Sequence, residues 1–375
     1  MARLDEICSI NMGQSPDSSS YNEEKRGIPF FQGNADFGAI HPTARVWCDA
    51  PTKIAHDGDI LISVRAPIGA LNIANTDCCI GRGLAALTVN ESLCLKKYLW
   101  YVIASKVDEL NSKGTGSTFK AINKSVLAET EIPLPSLNVQ TKIAHILDLL
   151  TNLISSRKQQ LSKLDELVKS RFIEMFGTIH ANKFNYDTVT LQDVSEPIKD
   201  GTHQTPTYTE DAVNGFKFLS SKDVTTGTID WSHLKYITED LHKELYSRLA
   251  PRKGDILLAK NGTTGIAAIV DRDEIFDIYV SLALIRPLGI NSVYLWAAIN
   301  STETKQQFDA SLKGIGVPNL HLGEIKKAKI ILPPTKLQVQ FATFVEQTDK
   351  SKATIQKSLE KLEMLKKALM QKYFG

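Results

Sequence analysis

The sequence lacks the features that identify disulfide-rich, zinc-binding, membrane-spanning and exported proteins. Its 375 residues include 5 cysteines, and this odd number, irregularly spaced, does not fit a disulfide framework. A zinc site from Cys48, Cys78, Cys79 and His41 is disfavoured because no C-x2-C pair occurs, so we interpret the cysteines as structural. No run of 18 or more apolar residues is present, which excludes a membrane-spanning helix. The N-terminal segment has early acids and no apolar signal core, so we expect a cytoplasmic protein.

The motifs of common enzymes are also missing. The glycines of Lys113-Gly-Thr-Gly-Ser-Thr-Phe-Lys120 lack the Lys-Ser/Thr pair that completes a phosphate-binding P-loop. No glycine-rich dinucleotide or S-adenosylmethionine loop joins a strand to a helix, and the histidines on polar loops have no triad or metal spacing. No pair of acids with a nearby lysine suggests a nuclease centre. These absences favour a binding protein, with an unrecognised nuclease as an alternative.

A strong excess of basic charge is absent as well. The formal net charge is only +2, whereas a dedicated DNA-binding protein usually carries more. The excess is local, because residues 336–375 hold eight lysines and four acids. A solvated helix face would explain this run equally well. If the chain binds DNA, the weak charge implies that partners supply much of the phosphate contact.

The sequence does contain one internal duplication. Seven short segments recur in the same order, at an offset that drifts from 187 to 200 and returns to 198. A single repeat of this length indicates a duplicated half, since the repeats of solenoid proteins run to about 20–50 residues. The matched pairs are Leu4–Ile7 with Leu191–Val194, Gly58–Leu61 with Gly254–Leu257, Gly69 with Gly265, Tyr98–Trp100 with Tyr294–Trp296, Lys113–Gly116 with Lys313–Gly316, Pro133 and Val139–Gln140 with Pro333 and Val339–Gln340, and Phe176–Gly177 with Phe374–Gly375.

Each half has the same predicted order of elements. Short β-branched and aromatic runs between turn residues predict strands, and a helix, a glycine-containing loop and a short strand ending at proline follow. A long helix then begins after Pro135 or Pro334 and ends before Gly177 or Gly375. We expect domains at 1–136 and 178–334, with spacer helices at 137–177 and 335–375.

Both predicted long helices carry a heptad stripe of apolar residues. From Ile143, and again from Phe341, positions spaced 4 and 3 residues apart are mostly apolar, as in a coiled coil. If a pseudo-two-fold axis relates the halves, the helices pair antiparallel; a simple structural brace is the alternative. The predicted class is α+β, with two similar α/β domains separated by two long antiparallel coiled-coil helices. The packing positions are Leu150, Ile154, Leu161, Leu164, Val168, Ile355, Leu359, Leu362 and Leu369.

The loops between the repeated segments differ, although the scaffold residues agree. They are rich in Arg, Lys, Asn, Gln, Ser, Thr and His, the side chains that contact base edges and phosphates. Unlike loops on one scaffold predict a target of two unlike half-sites, whereas ordinary surface loops are the alternative. The candidate DNA-contacting residues are Gln32, Arg65, Lys113 and Lys120 in the first half, and Gln204, Lys222, Lys260, Asn261, Lys313 and Asn319 in the second.

This combination resembles the specificity (S) subunit of type I restriction-modification systems. The resemblance covers essentially the whole chain and depends on the order of domain, heptad helix, domain, heptad helix. The segment Gly254–Ala268 is similar to the family's G-D-[IL]-L-x-[ST]-x-x-G-x-x-G pattern, and the segments Ile132–Ile143 and Ile330–Phe341 are similar to its P-L-x-x-Q-x-x-I run. The first half departs from the pattern, because Pro67 stands where the second half has Thr263. That departure weakens any transfer of contacts to this loop.

The resemblance implies a subunit that is not itself the catalyst and binds a bipartite, asymmetric double-stranded DNA site. It also implies two methyltransferase subunits, which carry S-adenosylmethionine, and in some systems motor-nuclease subunits that use ATP and Mg²⁺. No cofactor or metal is expected in the chain itself. Two alternatives stay open at this point: the recognition subunit of a type IIB-like enzyme, and a coiled-coil scaffold that binds only protein.

Overall fold

The computed structural model describes residues 1–116, 120–312 and 318–375. Its contacts divide the chain into two compact units, the first formed by Met1–Lys158 with Lys357–Gly375 and the second by Gln159–Gln356. Each unit combines β-sheets with helices and contains parts of both long helices. The predicted α+β class, with a long internal helix and a long C-terminal helix, is confirmed.

The N-terminal part of the chain alternates short strands and short helices before the first long helix. Its strands are β1 (Ala2–Arg3), β2 (Cys8–Met12), β3 (Tyr21–Asn22), β4 (Ile28–Phe31), β5 (Val46–Cys48), β6 (Ile54–Ala55), β7 (Ile60–Ser63), β8 (Leu71–Ile73), β9 (Cys78–Ile80), β10 (Leu84–Val89) and β11 (Glu131–Ile132). Its helices are α1 (Leu4–Ile7), α2 (Lys96–Ser105), α3 (Val107–Ser112), α4 (Lys124–Ala128) and α5 (Leu137–Phe176).

The second part of the chain follows a closely similar order. Its strands are β12 (Asp187–Thr190), β13 (Lys199–Asp200), β14 (Tyr208–Thr209), β15 (Phe216–Leu219), β16 (Lys235–Ile237), β17 (Ile256–Ala259), β18 (Ala267–Ile269), β19 (Phe276–Ile278), β20 (Leu282–Ile285) and β21 (Lys329–Leu332). Its helices are α6 (Glu239–Arg248), α7 (Ser292–Ile299), α8 (Thr302–Ser311), α9 (Leu322–Lys327) and α10 (Thr335–Phe374).

A four-stranded antiparallel sheet lies at the centre of each unit. Its order is β2-β10-β7-β8 in the first unit and β13-β20-β17-β18 in the second. Side chains alternate across a strand, so Ile60 and Ile62 of β7 pack in the core beside α2, while Leu61 packs with Phe31 against the second sheet. Each fully buried Ile or Leu contributes about 1.5–3 kcal/mol. The apolar runs in the repeated Gly-Asp-Ile-Leu segments are therefore central strands buried on both faces.

Each unit also contains a mixed sheet and a two-stranded sheet, β1-β11 in the first unit and β12-β21 in the second. The strand order of the mixed sheet is β3-β5-β4-β9-β6 in the first unit and β14-β16-β15-β19 in the second. In both, a parallel strand pair joins corresponding strands, β4 with β9 and β15 with β19. Phe30 pairs with Cys79, and Phe218 pairs with Asp277 at the matching register. The duplication therefore extends from sequence to strand order and register.

The repeated Gly-Asp dipeptide forms the turn that leads into the central strand. Gly58 and Gly254 have φ of +82° and +90°, a left-handed conformation that glycine adopts without steric cost. The buried carboxylates of Asp59 and Asp255 each accept a backbone N–H three residues earlier, at 2.9 and 2.8 Å. The motif recurs because the turn needs both the glycine and the side-chain acceptor.

The start of each long helix is anchored by one buried glutamine. Gln140 Nε2 donates to Pro135 O at 2.8 Å, and Gln338 Nε2 donates to Pro333 O at 2.8 Å. Gln140 and Gln338 therefore correspond, at an offset of 198, and Gln340 is exposed. The predicted match of Gln140 with Gln340, and of Pro133 with Pro333, is wrong by two residues, because repeated letters near the helix start disguised the equivalence of the buried side chains.

The heptad positions of both helices are more buried than their neighbours. Leu150, Val168 and Leu359 are buried, and the other six predicted packing positions are half-buried. Within the first unit, Ile143 and Leu147 share a core cluster with Phe374. Within the second unit, the rings of Phe172 and Phe341 are 5.6 Å apart. In each unit, the start of one long helix thus contacts the end of the other.

Candidate nucleic-acid interface

The first unit contains a concavity of about 750 Å³ with a mostly polar lining. Four segments of the chain form it: the loop after β2, the turn after β4, the end of β7 and the turn between β9 and β10. The lining residues are Gln14, Ser15, Pro16, Asp17, Ser18, Tyr21, Gln32, Gly33, Asn34, Arg65, Ala66, Arg82 and Gly83.

Backbone hydrogen bonds hold these segments in fixed positions. Gln14 N donates to Ile80 O at 2.9 Å, Gly83 N donates to Gln32 O at 3.1 Å, and Val64 N donates to Gly83 O at 2.9 Å. The segments approach so closely that a Cβ on Gly83 would lie 2.3 Å from Gln32 O. The concavity is therefore part of the folded framework, and its side chains start from fixed backbone positions.

Several polar side chains in this concavity have no partner within the described part of the chain. Arg65 and Arg82 are exposed, and their guanidinium groups make no ion pair or hydrogen bond with any described residue. The side-chain amides of Gln14 and Gln32, which are exposed, and of Asn34, which is half-buried, make no hydrogen bond with a described residue either. One oxygen of the Asp17 carboxylate, Oδ1, accepts hydrogen bonds from the backbone N–H and the hydroxyl of Ser19, and those hydrogen bonds hold the pKa of Asp17 below its usual value. The lining thus offers two guanidinium groups, three amides and one carboxylate.

The predicted residues of the first half fall in three settings. Gln32 and Arg65 meet in the concavity. Lys120 is exposed, and its carbonyl accepts Ala66 N at 2.9 Å, which places its backbone beside the segment that carries Arg65. Lys113 Nζ lies 2.6 Å from Glu109 Oε1 on its own helix turn, so its charge is partly neutralised.

Three lining residues, Arg82, Gln14 and Asn34, were not among the contacts predicted from the sequence. Arg82 lies between two glycines, Gly81 and Gly83, directly before β10. The second half has Tyr279-Val280-Ser281 at the matching place, so the repeat offered no signal. A basic residue between glycines beside a buried strand could have been selected by its local pattern alone.

In the second unit, the structure brings Asn261 and Asn319 together through an antiparallel β-bridge. The buried Oδ1 atom of each has no hydrogen-bond partner among the residues that the structure describes. Gln204 is exposed on a loop and Lys222 on a short 3-10 helix, Ser221–Val224, and Lys222 lies 3.9 Å from the Asp223 carboxylate. Lys313 lies outside the described residues.

Lys260 does not stand on the surface as the prediction assumed. Its side chain is 8% exposed, and Nζ lies 2.9 Å from Asp200 Oδ2. The same carboxylate oxygen is 3.2 Å from Nε2 of His203. Burial against an oppositely charged partner removes Lys260 from the residues that can reach a base, and gives it a role in fixing the loop that carries Gln204.

The described residues show no sign of a metal site, a membrane-spanning helix or a reactive thiol. No group of three or more His, Cys, Asp or Glu side chains there could hold a metal ion. Among the described helices, none combines the length and apolar character of a membrane span. All five cysteines are buried free thiols, and burial raises the pKa of Cys78 to about 12. The thiols therefore behave as core residues, as the sequence indicated.

A duplicated α+β fold with a long helix after each copy defines the class of protein to which this chain belongs. Within that class, the chain belongs to the family described as type I restriction modification DNA specificity domain, which matches residues 1–166 and 184–364. The resemblance found in the sequence is confirmed, and the chain is a type I specificity protein with two target-recognition domains.

Known proteins similar to this chain carry the same designation. A putative type I restriction enzyme specificity subunit (MjaX) of Methanocaldococcus jannaschii is 42% identical over 43% of this chain, and the match spans only 38% of that protein. The EcoBI specificity subunit of Escherichia coli is 23% identical over 99% of this chain and 84% of its own length. The crystal structure of an S subunit from M. genitalium matches 100% of this chain and 95% of its own, with a TM-score of 0.56 and 16% identity. This last likeness shows the shared fold.

Proposed function

We propose that this chain is the non-catalytic DNA-recognition subunit of a cytoplasmic type I restriction-modification complex. Each recognition domain reads one half of a bipartite, asymmetric site in double-stranded DNA. The observation that carries the proposal is a single scaffold, repeated to the level of strand register, that presents different polar side chains at matching positions. Arg65 and Asn261 are one such pair, because both follow the central strand and form an isolated β-bridge with the segment before the last short helix.

The long helices are proposed to set the distance between the half-sites as an antiparallel coiled coil. Each helix is 40 residues long, which corresponds to about 60 Å at 1.5 Å per residue. The buried heptad positions support this role, as do contacts between the two helices inside each unit. In the first unit, Lys158 Nζ lies 2.8 Å from Glu363 Oε1, and in the second, Lys352 Nζ lies 2.6 Å from Asp165 Oδ1.

Two methyltransferase subunits are proposed to dock on the helices and domains and to supply S-adenosylmethionine. On α5, Ile146, Leu149 and Leu153 are 38%, 50% and 47% exposed, respectively, and their spacing of 3 and 4 residues places them on one helix face. An exposed apolar stripe of this kind is typical of a protein-binding surface. Motor-nuclease subunits, with ATP and Mg²⁺, would join the same complex for restriction. The net charge of +2 is consistent with partners that share the phosphate contacts.

Co-expression with the methyltransferase encoded beside the chain tests the proposal. Sequencing of the modified DNA is expected to give one motif with two specified parts separated by unspecified bases. A motif in one uninterrupted stretch would contradict the bipartite proposal. Failure of the assembled complex to retain DNA even at low salt would favour the protein-only scaffold, and cleavage by the isolated chain with Mg²⁺ would reveal a nuclease.

A further inference from the structure

The concavity of the first unit holds two arginines whose side chains have no partner among the described residues. Elsewhere in this unit, Arg3 is ion-paired to Asp5 and Arg45 to Asp36. Arg65 and Arg82, in contrast, stand on two segments that Val64 N and Gly83 O join directly at 2.9 Å. Two guanidinium groups that have no partner among the described residues, on adjoining and fixed backbone segments, are positioned to donate hydrogen bonds to a planar acceptor.

The remaining lining residues indicate what this acceptor is. Gln14, Gln32 and Asn34 each offer an amide that both donates and accepts hydrogen bonds. The Asp17 carboxylate adds an acceptor and a negative charge. A phosphate offers only acceptors and would be repelled by this carboxylate, whereas a base edge carries donors and acceptors side by side. The mixed lining therefore fits base edges better than the DNA backbone.

We propose that Arg65 and Arg82 select guanine bases in the half-site bound by the first unit. The inference rests on the proposed function and names the base that this site prefers. Arginine donates two parallel hydrogen bonds to O6 and N7 of guanine in the major groove, an arrangement that no other base offers. Since the concavity presents two such side chains, we expect this half-site to contain at least one G·C pair that is read by Arg65 and at least one that is read by Arg82.

The second unit lacks this feature at the corresponding positions. Lys260 N donates to Ser281 O at 2.9 Å, as Val64 N does to Gly83 O, so Asn261 corresponds to Arg65 and Val280 to Arg82. An amide and an apolar side chain cannot replace a guanidinium fork. The second half-site is therefore read without the arginine pair, and the two half-sites differ in how they specify guanine.

This correspondence also supplies the variants for a test. Arg82→Val and Arg65→Asn introduce residues that the same scaffold carries in the second unit, and Arg26→Asn alters an exposed arginine outside the concavity. Each variant is co-expressed with the methyltransferase, and the modified DNA is sequenced at single-base resolution. Thermal melting of each purified complex checks that it is folded.

We expect Arg82→Val and Arg65→Asn each to reduce the preference for guanine at one position of the first half-site by about 5- to 150-fold. Both variants should leave the second half-site unchanged, and the complex with the control variant Arg26→Asn should methylate the same motif as the unaltered complex. The inference is overturned if methylation falls equally at all sites with the motif intact, the pattern of a lost phosphate contact, or if the first half-site contains no G·C pair. Relaxation of both half-sites by one variant would instead contradict the proposed function.

Discussion

The two units share a scaffold, but the layer beneath their interfaces differs in chemistry. In the first unit, Val64 is buried in the main core and Met12 packs against that core. At the matching register of the second unit stand Lys260 and Asp200, joined by an ion pair of 2.9 Å. One copy thus positions its interface on apolar packing, and the other on a buried charge pair that also contacts His203. Divergence of the recognition domains therefore extends below the exposed loops.

Breaking this charge pair is expected to have the largest effect. Lys260→Val removes the buried cation beside Asp200 and leaves that carboxylate with His203, an exposed side chain, as its remaining side-chain contact; loss of one member of a buried pair costs about 3–5 kcal/mol. The double variant Asp200→Met with Lys260→Val places in the second unit the two apolar residues that the first unit has at these positions, Met12 and Val64. It should recover most of the lost unfolding free energy, since apolar replacement of a buried ion pair is often neutral. Urea unfolding followed by tryptophan fluorescence measures both. Equal instability of the single and double variants would show that the pair does not act as a unit.

Removing the buried glutamine of each helix start should destabilise both units by similar amounts. Gln140→Leu leaves Leu95 N, Leu93 O and Pro135 O without their hydrogen-bond partner. Such buried groups cost about 1–3 kcal/mol, and Gln338→Leu, which leaves the matching groups Asn291 N and Pro333 O without their partner, should cost an amount in the same range. Gln340→Leu, on an exposed position, is the control and should change the free energy of unfolding by less than about 0.5 kcal/mol. A much smaller loss for Gln338→Leu than for Gln140→Leu would contradict their equivalence.

The stability of the two mixed sheets should depend differently on pH. Asp277 of the second unit lies 2.7 Å from His242 Nδ1, and burial raises the pKa of its carboxyl. A raised folded-state pKa stabilises the unit below the unfolded value of about 3.9, and this stabilisation is lost as pH rises through the folded-state value. Cys79 stands at the matching position of the first unit, and burial raises its thiol pKa further from this range. Asp277→Asn should flatten the slope of unfolding free energy against pH above about 4. An unaltered slope would show that groups other than Asp277 cause the pH dependence.

The smallest effects are expected from the ion pairs between the long helices. Glu363→Gln removes the partner of Lys158, whose side chain is 60% exposed, and should cost about 0.2–1 kcal/mol at low salt and less at high salt. Asp165→Asn, opposite the more buried Lys352, should have the larger effect of the two. Melting temperatures at two salt concentrations give the comparison, and a salt-independent loss would point to packing.

Features governed by local pattern could be predicted from the sequence. The heptad pattern follows from helix periodicity and the Gly-Asp turns from a few neighbouring residues, and each pattern occurs in both halves of the sequence. The repeat gave no signal for Arg82, and its position beside Gln32 in the concavity depends on the parallel pairing of β4 with β9. Lys260 was taken as a loop residue, because its partner Asp200 lies 60 residues earlier in the chain. When a binding surface is formed by segments that are distant in the sequence, its residues can be identified only once the fold is known.

Exchange of one recognition domain tests the central claim most directly. Residues 178–334 are replaced by those of a relative with a different target, and the DNA modified by the resulting complex is sequenced. The account predicts that one half-site changes, while the other half-site and the spacer length are retained. A change in both half-sites would contradict the claim that each domain reads its own part of the target.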